Sequence, residues 1–145
     1  MRVTIIPFVG PHISYSKEVM PKRNKTGGFV VIIRFERSSV CMGDDCMAPN
    51  PAKLNISDTA SFKDLIYKIK QINYLPNVYG GKATWILYHG TKPMVVVAQQ
   101  WEEAKYLINQ DTKLFELFHN AESTDLEFVY RSQNEPDEVL NINSN

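Results

Sequence analysis

The chain has 145 residues and a mass of 16.6 kDa, and 43% of its residues are hydrophobic. This length is that of one domain, and the apolar content excludes a wholly disordered chain. Sixteen basic and sixteen acidic side chains cancel, so no strong net field draws the protein to nucleic acid or to a membrane surface.

Residues 1–27 combine a predicted strand with a basic loop. Residues 2–9 are rich in β-branched side chains, and Pro7 favours an edge position because proline cannot donate a ladder hydrogen bond. The loop that follows carries four basic side chains, Lys17, Lys22, Arg23 and Lys25. They could hold the phosphates of a nucleic acid or an anionic lipid, which is an alternative function, although sparse aromatic residues give no support for base stacking.

The next part of the chain predicts a hairpin that leads into one main helix. Residues 29–37 and 52–57 are the predicted strands, and the Val and Ile run of the first indicates burial on at least one face. Ser61 followed by Asp64 resembles a capping box at a helix start. One apolar stripe follows at helical spacing, formed by Phe62, Leu65, Ile66, Ile69 and Ile72.

The segment between the predicted strands at 29–37 and 52–57 contains CMGDDCM, with both cysteines of the chain, Cys41 and Cys46. A reversible disulfide across the turn is one interpretation, since the short spacing could bring the two Cα atoms within bonding range. A structural zinc would need further Cys or His ligands from elsewhere. We favour a plain turn, and we predict no metal and no cofactor.

The second half of the chain predicts a hairpin, short helices and a last strand. In chain order these predicted elements lie at 83–89, 93–98, 99–109, 112–119 and 126–131. Residues 133–145 are polar and have little to bury, so we predict a disordered tail that is dispensable for folding.

Three stretches of the chain resemble the ubiquitin-like β-grasp superfamily. KLNISDTASFKDLIYKIK is similar to the passage in which the second strand of ubiquitin runs through a Ser-Asp-Thr link into the helix. WILYHGTKP resembles the third strand and its Gly-Lys turn, and AESTDLEFVYR resembles the last strand. The resemblance covers residues 28–132 and implies an α+β fold with a mixed sheet packed on one main helix. Residues 1–27 lie outside it as an extra strand and loop.

The resemblance implies a non-enzymatic module that binds another protein. Phox–Bem interaction domains share the order of elements and have a helix after the fourth strand, similar to QQWEEAKYLI. Those domains pair head to tail, through a basic cluster on one protein and an acidic motif on the other. Arg34 and Arg37 match the basic cluster, whereas the acidic motif is missing from this sequence. The chain also lacks the Gly-Gly end of conjugated members, so we expect no C-terminal conjugation. A small enzyme with an unrecognised site is a further alternative.

We predict a cytoplasmic protein that does not insert into membranes. No apolar run approaches the ~20 residues that a membrane helix needs. The start, MRVTIIPFVG, has too short an apolar centre for a secretory signal.

Strand alternation predicts where the partner protein docks. If Ile86 and Tyr88 face the helix, their neighbours on the same strand point outward. The inward residues of the last strand are then Leu126, Phe128 and Tyr130. The predicted docking residues are Trp85, Leu87, His89, Val129 and Arg131. Of these, Leu87 and Val129 match the positions of the family's usual apolar contact patch. The alternative is that residues 1–9 or the basic loop cover this face.

Overall fold

A computed structural model describes residues 28–39, 50–76, 81–132 and 136–144. The predicted strand at 2–9 lies outside these residues. In chain order the elements are β1 (Val30–Arg37), β2 (Ala52–Ser57), α1 (Phe62–Gln71), β3 (Ala83–His89), β4 (Lys92–Ala98), β5 (Lys105–Tyr106), α2 (Leu114–Leu117), β6 (Ser123–Ser132) and α3 (Pro136–Asn143).

The six strands form one mixed sheet in the order β2-β1-β6-β3-β4-β5. The hairpins β1-β2 and β3-β4 are antiparallel. The last strand, β6, lies between them and pairs parallel with β1 and antiparallel with β3. The fold class is therefore α+β, as the sequence predicts.

The predicted capping box fixes the start of α1. Ser61 Oγ accepts a hydrogen bond from the Asp64 N–H at 3.1 Å, and Asp64 Oδ2 accepts one from the Ser61 N–H at 3.0 Å. Each bond satisfies an amide that the first helical turn leaves unpaired. The hydrogen bond from the Ser61 backbone lowers the pKa of Asp64, so its carboxylate stays charged beside the positive end of the helix.

The main core lies between α1 and one face of the sheet, which we call the inner face. The apolar stripe of α1 is buried there, at Phe62, Leu65, Ile66 and Ile69. Alternate residues of the strands pack against this stripe, including Val31, Ile33 and Phe35 of β1 and Leu126 and Phe128 of β6. Ile72, the last member of the predicted stripe, is exposed because α1 ends at Gln71. The opposite side of the sheet is called the outer face.

The predicted helix over 99–109 is wrong, because this segment forms turns and the short strand β5. The Leu107 N–H donates to the Met94 carbonyl at 2.9 Å, which ties the segment to β4 as an edge. Its apolar residues do not share one stripe: Trp101 and Leu107 pack on the outer face, whereas Ala104 and Ile108 pack on the inner core. The predicted helix over 112–119 is the single turn α2.

The prediction of a disordered tail is wrong for residues 136–144. Pro136 occupies the first helical position of α3, and Asp137 and Glu138 lie in its first turn, where negative charge is favourable. Val139 is buried against Ile86 and Val96 on the outer face. Two apolar side chains of the tail, Val139 and Leu140, therefore cover part of the outer face, whereas Ile142 is exposed.

Candidate docking face

The side chains of β3 point to the opposite faces from those predicted. Trp85 and Leu87 are buried on the inner face, with 2% and 0% of their surface exposed. Trp85 lies opposite Tyr130, with ring centroids 5.0 Å apart, and Leu87 lies opposite Phe128. Because directly opposite residues share a face of the sheet, Trp85 and Leu87 face α1 together with these aromatic residues. They are core residues and offer no surface to a partner.

Burial on both sides of β3 is the reason for this reversal. Ile86, on the outer face, is as fully buried as Leu87 on the inner face. A strand covered on both faces is apolar at consecutive positions, so hydrophobicity alone does not reveal its phase. The last strand has exposed Glu127 between buried Leu126 and Phe128, and its predicted orientation is confirmed.

The other predicted docking residues are divided between the two faces. His89 Nε2 lies 3.1 Å from Thr124 Oγ1, and the His89 ring packs edge-on against Phe118 at 5.1 Å. His89 is therefore half-buried among inner-face residues. Val129 and Arg131 are on the outer face, where Val129 lies directly opposite Ile86 and Arg131 is exposed.

Two further groups of predicted site residues lie outside the described residues. They are the anion-binding set Lys17, Lys22, Arg23 and Lys25 and the cysteine pair Cys41 and Cys46.

The outer face has two halves of different character. The capped half is apolar: it consists of Ile86 and Val96, with Tyr88, Trp101 and Leu107 around them, and α3 packs on it through Val139 and Leu140. The open half belongs to β2, β1 and β6, and its outward residues are Ile32, Arg34, Glu36, Lys53, Asn55, Asp125 and Glu127. All of these except Ile32 are exposed, so the open half is a charged sheet surface in contact with solvent.

A bidentate ion pair crosses the open half between β1 and β6. Arg34 Nε donates to Asp125 Oδ1 at 2.7 Å, and Arg34 Nη2 donates to Asp125 Oδ2 at 3.2 Å. The hydrogen bond from Arg34 lowers the pKa of Asp125, and the same bond raises the pKa of Arg34. The pair is solvent-exposed, so it orders these two side chains more than it stabilises the fold.

Two glutamates lie next to this ion pair. Glu36 and Glu127 are directly opposite each other in the parallel pairing of β1 and β6, and Tyr88 lies opposite Glu127 on the other side. Within the described part of the chain, neither glutamate has an ion pair or a side-chain hydrogen bond. A shallow hollow of about 670 Å³ runs across this place, between Lys53, Arg34, Glu36, Glu127 and Tyr88.

A second hollow of about 490 Å³ follows α1 on the other side of the molecule. Tyr67 of α1 borders it and is 62% exposed, and Tyr106 of β5 lines its floor. Burial raises the pKa of Tyr106, so its phenol remains protonated at neutral pH. Lys70 Nζ donates to the Glu102 carbonyl at 3.2 Å and thereby spans the groove.

The described linings of both hollows contain charged and tyrosine side chains. Among the described residues that line them, neither hollow has a histidine or a cysteine. Among residues 28–39, 50–76, 81–132 and 136–144, no three His, Cys, Asp or Glu side chains are grouped closely enough to hold a metal ion. In the same ranges no helix has the length and apolar character to cross a bilayer.

Comparison of the chain with models of known protein families and with curated proteins finds no match. The geometry and chemistry of the outer face are therefore what indicates the function of the chain.

Proposed function

We propose that the chain is a ubiquitin-like β-grasp module that binds another protein through its outer face. Support for this fold comes from the order of elements: the hairpin β1-β2 leads directly into α1, and a second hairpin, a helical turn and a last strand follow. The mixed sheet packs on one main helix, which is the architecture that the sequence resemblance implies.

The observation that carries the proposed function is the open half of the outer face. The helix α1 covers the inner face and α3 covers part of the outer face, yet six outward side chains of β2, β1 and β6 remain exposed in one continuous patch. Small-molecule sites are enclosed and mostly apolar, whereas this surface is shallow, broad and charged. Such a surface suits contact with another macromolecule.

The charges of the open half favour a protein partner with basic side chains. Glu36 and Glu127 lie opposite each other, and like charges at opposite positions destabilise a sheet. A Lys or Arg of the partner placed between them would relieve this repulsion. Tyr88, on the neighbouring strand, supplies an aromatic ring on which an arginine could stack.

Affinity capture with matched charge variants tests this proposal. The full chain is immobilised as wild type, as Glu36→Lys with Glu127→Lys, and as a control with Glu103→Lys and Glu116→Lys. Both variants change the net charge equally, and the control positions are exposed but lie away from the outer face. We expect a partner that wild type and control retain and that the outer-face variant binds about tenfold or more weakly, which corresponds to a loss of about 1.4 kcal/mol or more when attractive charge pairs are replaced by repulsive ones.

Equal retention by all three chains would contradict the proposal, and so would failure to capture any protein from the native host. Circular dichroism of each variant shows whether the fold is retained. Salt-sensitive retention on heparin, unchanged in the outer-face variant, would favour the nucleic-acid or anionic-lipid alternative.

A further inference from the structure

We propose that the free edge of β2 pairs with β2 of a second copy of this chain, antiparallel and about a two-fold axis, so that the sheet continues from one copy into the other. This inference goes beyond the proposed function and does not depend on it. It concerns the rim of the sheet, whereas the proposed function concerns the open half of its outer face.

The two edge strands of the sheet differ in what they offer to another strand. In the described part of the chain the edges are β2, with six residues, and β5, with two. The pairing of β2 with β1 is continuous from Val30–Ser57 to Phe35–Ala52. A two-residue edge is too short to template further pairing, but a regular six-residue edge presents a row of backbone donors and acceptors. The edge of β2 is therefore the one that can accept a strand.

The hydrogen bonds of β1 show which residues of β2 point to the free edge. The Asp58 N–H donates to the Phe29 carbonyl at 2.7 Å, and these two residues are the next opposite pair of the β1-β2 register. Hydrogen-bonded and non-hydrogen-bonded pairs alternate between antiparallel strands, so the even-numbered residues of β2 bond to β1. The backbone groups of Lys53 and Asn55 therefore point away from β1. Within the described ranges these groups have no hydrogen bond.

One register gives all of these backbone groups a partner in a second copy. If the two-fold axis passes at Leu54, Lys53 of each copy lies opposite Asn55 of the other. Each of these two pairs then exchanges both of its N–H and C=O groups, as a hydrogen-bonded antiparallel pair does. The side chains of Lys53 and Asn55 adjoin on the outer face, where an ammonium group meets an amide and no like charges are opposed.

The same register covers the open end of the inner-face core. Leu54 packs against the core cluster but is only half-buried, because β2 is the last described strand on this side of the sheet. In the proposed register Leu54 lies directly opposite Leu54 of the second copy, in a non-hydrogen-bonded pair, where side chains are closest. Ala52, which is also half-buried, lies opposite Ile56. Pairing therefore buries apolar surface that one copy alone leaves accessible.

The wall beside this edge also suits a second copy. A hollow of about 410 Å³ lies between β2 and α1, and Tyr67 borders it with 62% of its surface exposed. Asp64 and Lys68 line the same hollow, one helical turn apart, and both are exposed. An antiparallel copy brings both signs of charge to this wall, so it meets no net repulsion. This balance, with the matched register of Lys53 and Asn55, favours a second copy over a strand of one charge sign.

Sedimentation equilibrium of two variants at one position tests the edge. The full chain is loaded from about 1 µM to about 1 mM as wild type, as Asn55→Pro and as Asn55→Ala. Proline removes an N–H that points to the free edge and that β1 does not use, so the fold tolerates it. Alanine removes the side chain but keeps the N–H. We expect wild type and Asn55→Ala to reach twice the chain mass of 16.6 kDa, and Asn55→Pro to dimerise at least about tenfold more weakly.

Cysteine substitution tests the register independently. In a full chain with Cys41→Ser and Cys46→Ser, Leu54→Cys should form an intermolecular disulfide on mild oxidation. The two facing Cα atoms of a non-hydrogen-bonded pair lie about 4.5 Å apart, which is within disulfide range. Lys53→Cys is the matched control, because position 53 faces position 55 of the other copy and not itself. It should give much less disulfide-linked dimer on a non-reducing gel.

Three results would overturn the proposal. A wild-type chain that stays monomeric up to about 1 mM is the result expected if other residues of the chain, such as the predicted strand at 2–9, cover the edge. Equal dimerisation of wild type and a folded Asn55→Pro chain would place the contact elsewhere. No more disulfide from Leu54→Cys than from Lys53→Cys would contradict the register. Circular dichroism shows whether each variant is folded, and if Asn55→Pro is not, the cysteine variants decide.

Discussion

The substitution Leu87→Ala tests the orientation of β3, on which the assignment of the two faces depends. Leu87 has no exposed surface and lies between Phe128 of β6 and Val95 of β4 on the inner face. Truncating a fully buried leucine to alanine removes its contacts and leaves a cavity, which costs about 2–5 kcal/mol of the free energy of unfolding. For a chain of this size, each kcal/mol lowers the melting temperature by about 2–4 °C.

Urea unfolding followed by circular dichroism measures this loss as a shift of the midpoint at unchanged slope. Ile142→Ala is the matched control: it also shortens an aliphatic side chain, but at a position that is 75% exposed, so its effect should stay within about 0.5 kcal/mol. A Leu87→Ala midpoint equal to that of wild type would refute the placement of Leu87 in the core and return it to the surface.

Three further predictions concern α1. Ile66→Ala should lower the free energy of unfolding by about 2–5 kcal/mol, because Ile66 is buried against the sheet, and an unchanged melting temperature would contradict the packing of α1. Ser61→Ala should cost about 0.5–2 kcal/mol in urea unfolding, whereas Ser61→Asp, which keeps an acceptor, should recover most of the loss. The pKa of Asp64 in the folded protein lies below its ordinary value of 3.8. The charged carboxylate therefore stabilises the fold above that pH, and this stabilisation is lost as the pH falls through the pKa of the folded state. Asp64→Asn should therefore flatten the acid side of the stability curve, and an unchanged acid slope would contradict this assignment.

Much of the fold could be predicted because several elements carry their own local signal. The β-branched run of β1, the Ser61–Asp64 capping box and the apolar stripe of α1 each specify one structure, and each is confirmed. On β6, polar Glu127 between buried neighbours identifies the phase of the strand. Where local periodicity and burial agree, the sequence determines both the element and its orientation.

The remaining features depend on contacts between distant parts of the chain. The phase of β3 is ambiguous by itself, since α1 and α3 bury opposite sides of it. The runs of apolar residues in β3 and β4 do carry a usable signal, because a strand apolar at every position must be covered on both faces. That signal, combined with Val139 and Leu140 in the tail, could have predicted a helix over the outer face.

The open half could be predicted only in part. The alternation of β6 predicts that Glu127, which belongs to the open half, points outward together with Val129 and Arg131, and this orientation is confirmed. Arg34 is marked only by the resemblance to Phox–Bem domains, and Glu36 and Asp125 have no distinguishing motif. These residues become neighbours only through the parallel pairing of β1 with β6, about 90 residues apart in sequence. A long-range register of this kind is not visible in a local pattern.

Site-specific photo-cross-linking tests outer-face docking most directly. A benzoylphenylalanine is introduced into the full chain either at Asn55, on the outer side of β2, or at Gln71, at the end of α1, and the captured partner is irradiated with each chain. Both positions are exposed, so either substitution leaves the core intact. Docking on the outer face predicts a covalent adduct from position 55 and none from position 71. An adduct from position 71 alone would place the partner on the side of α1 and contradict the account.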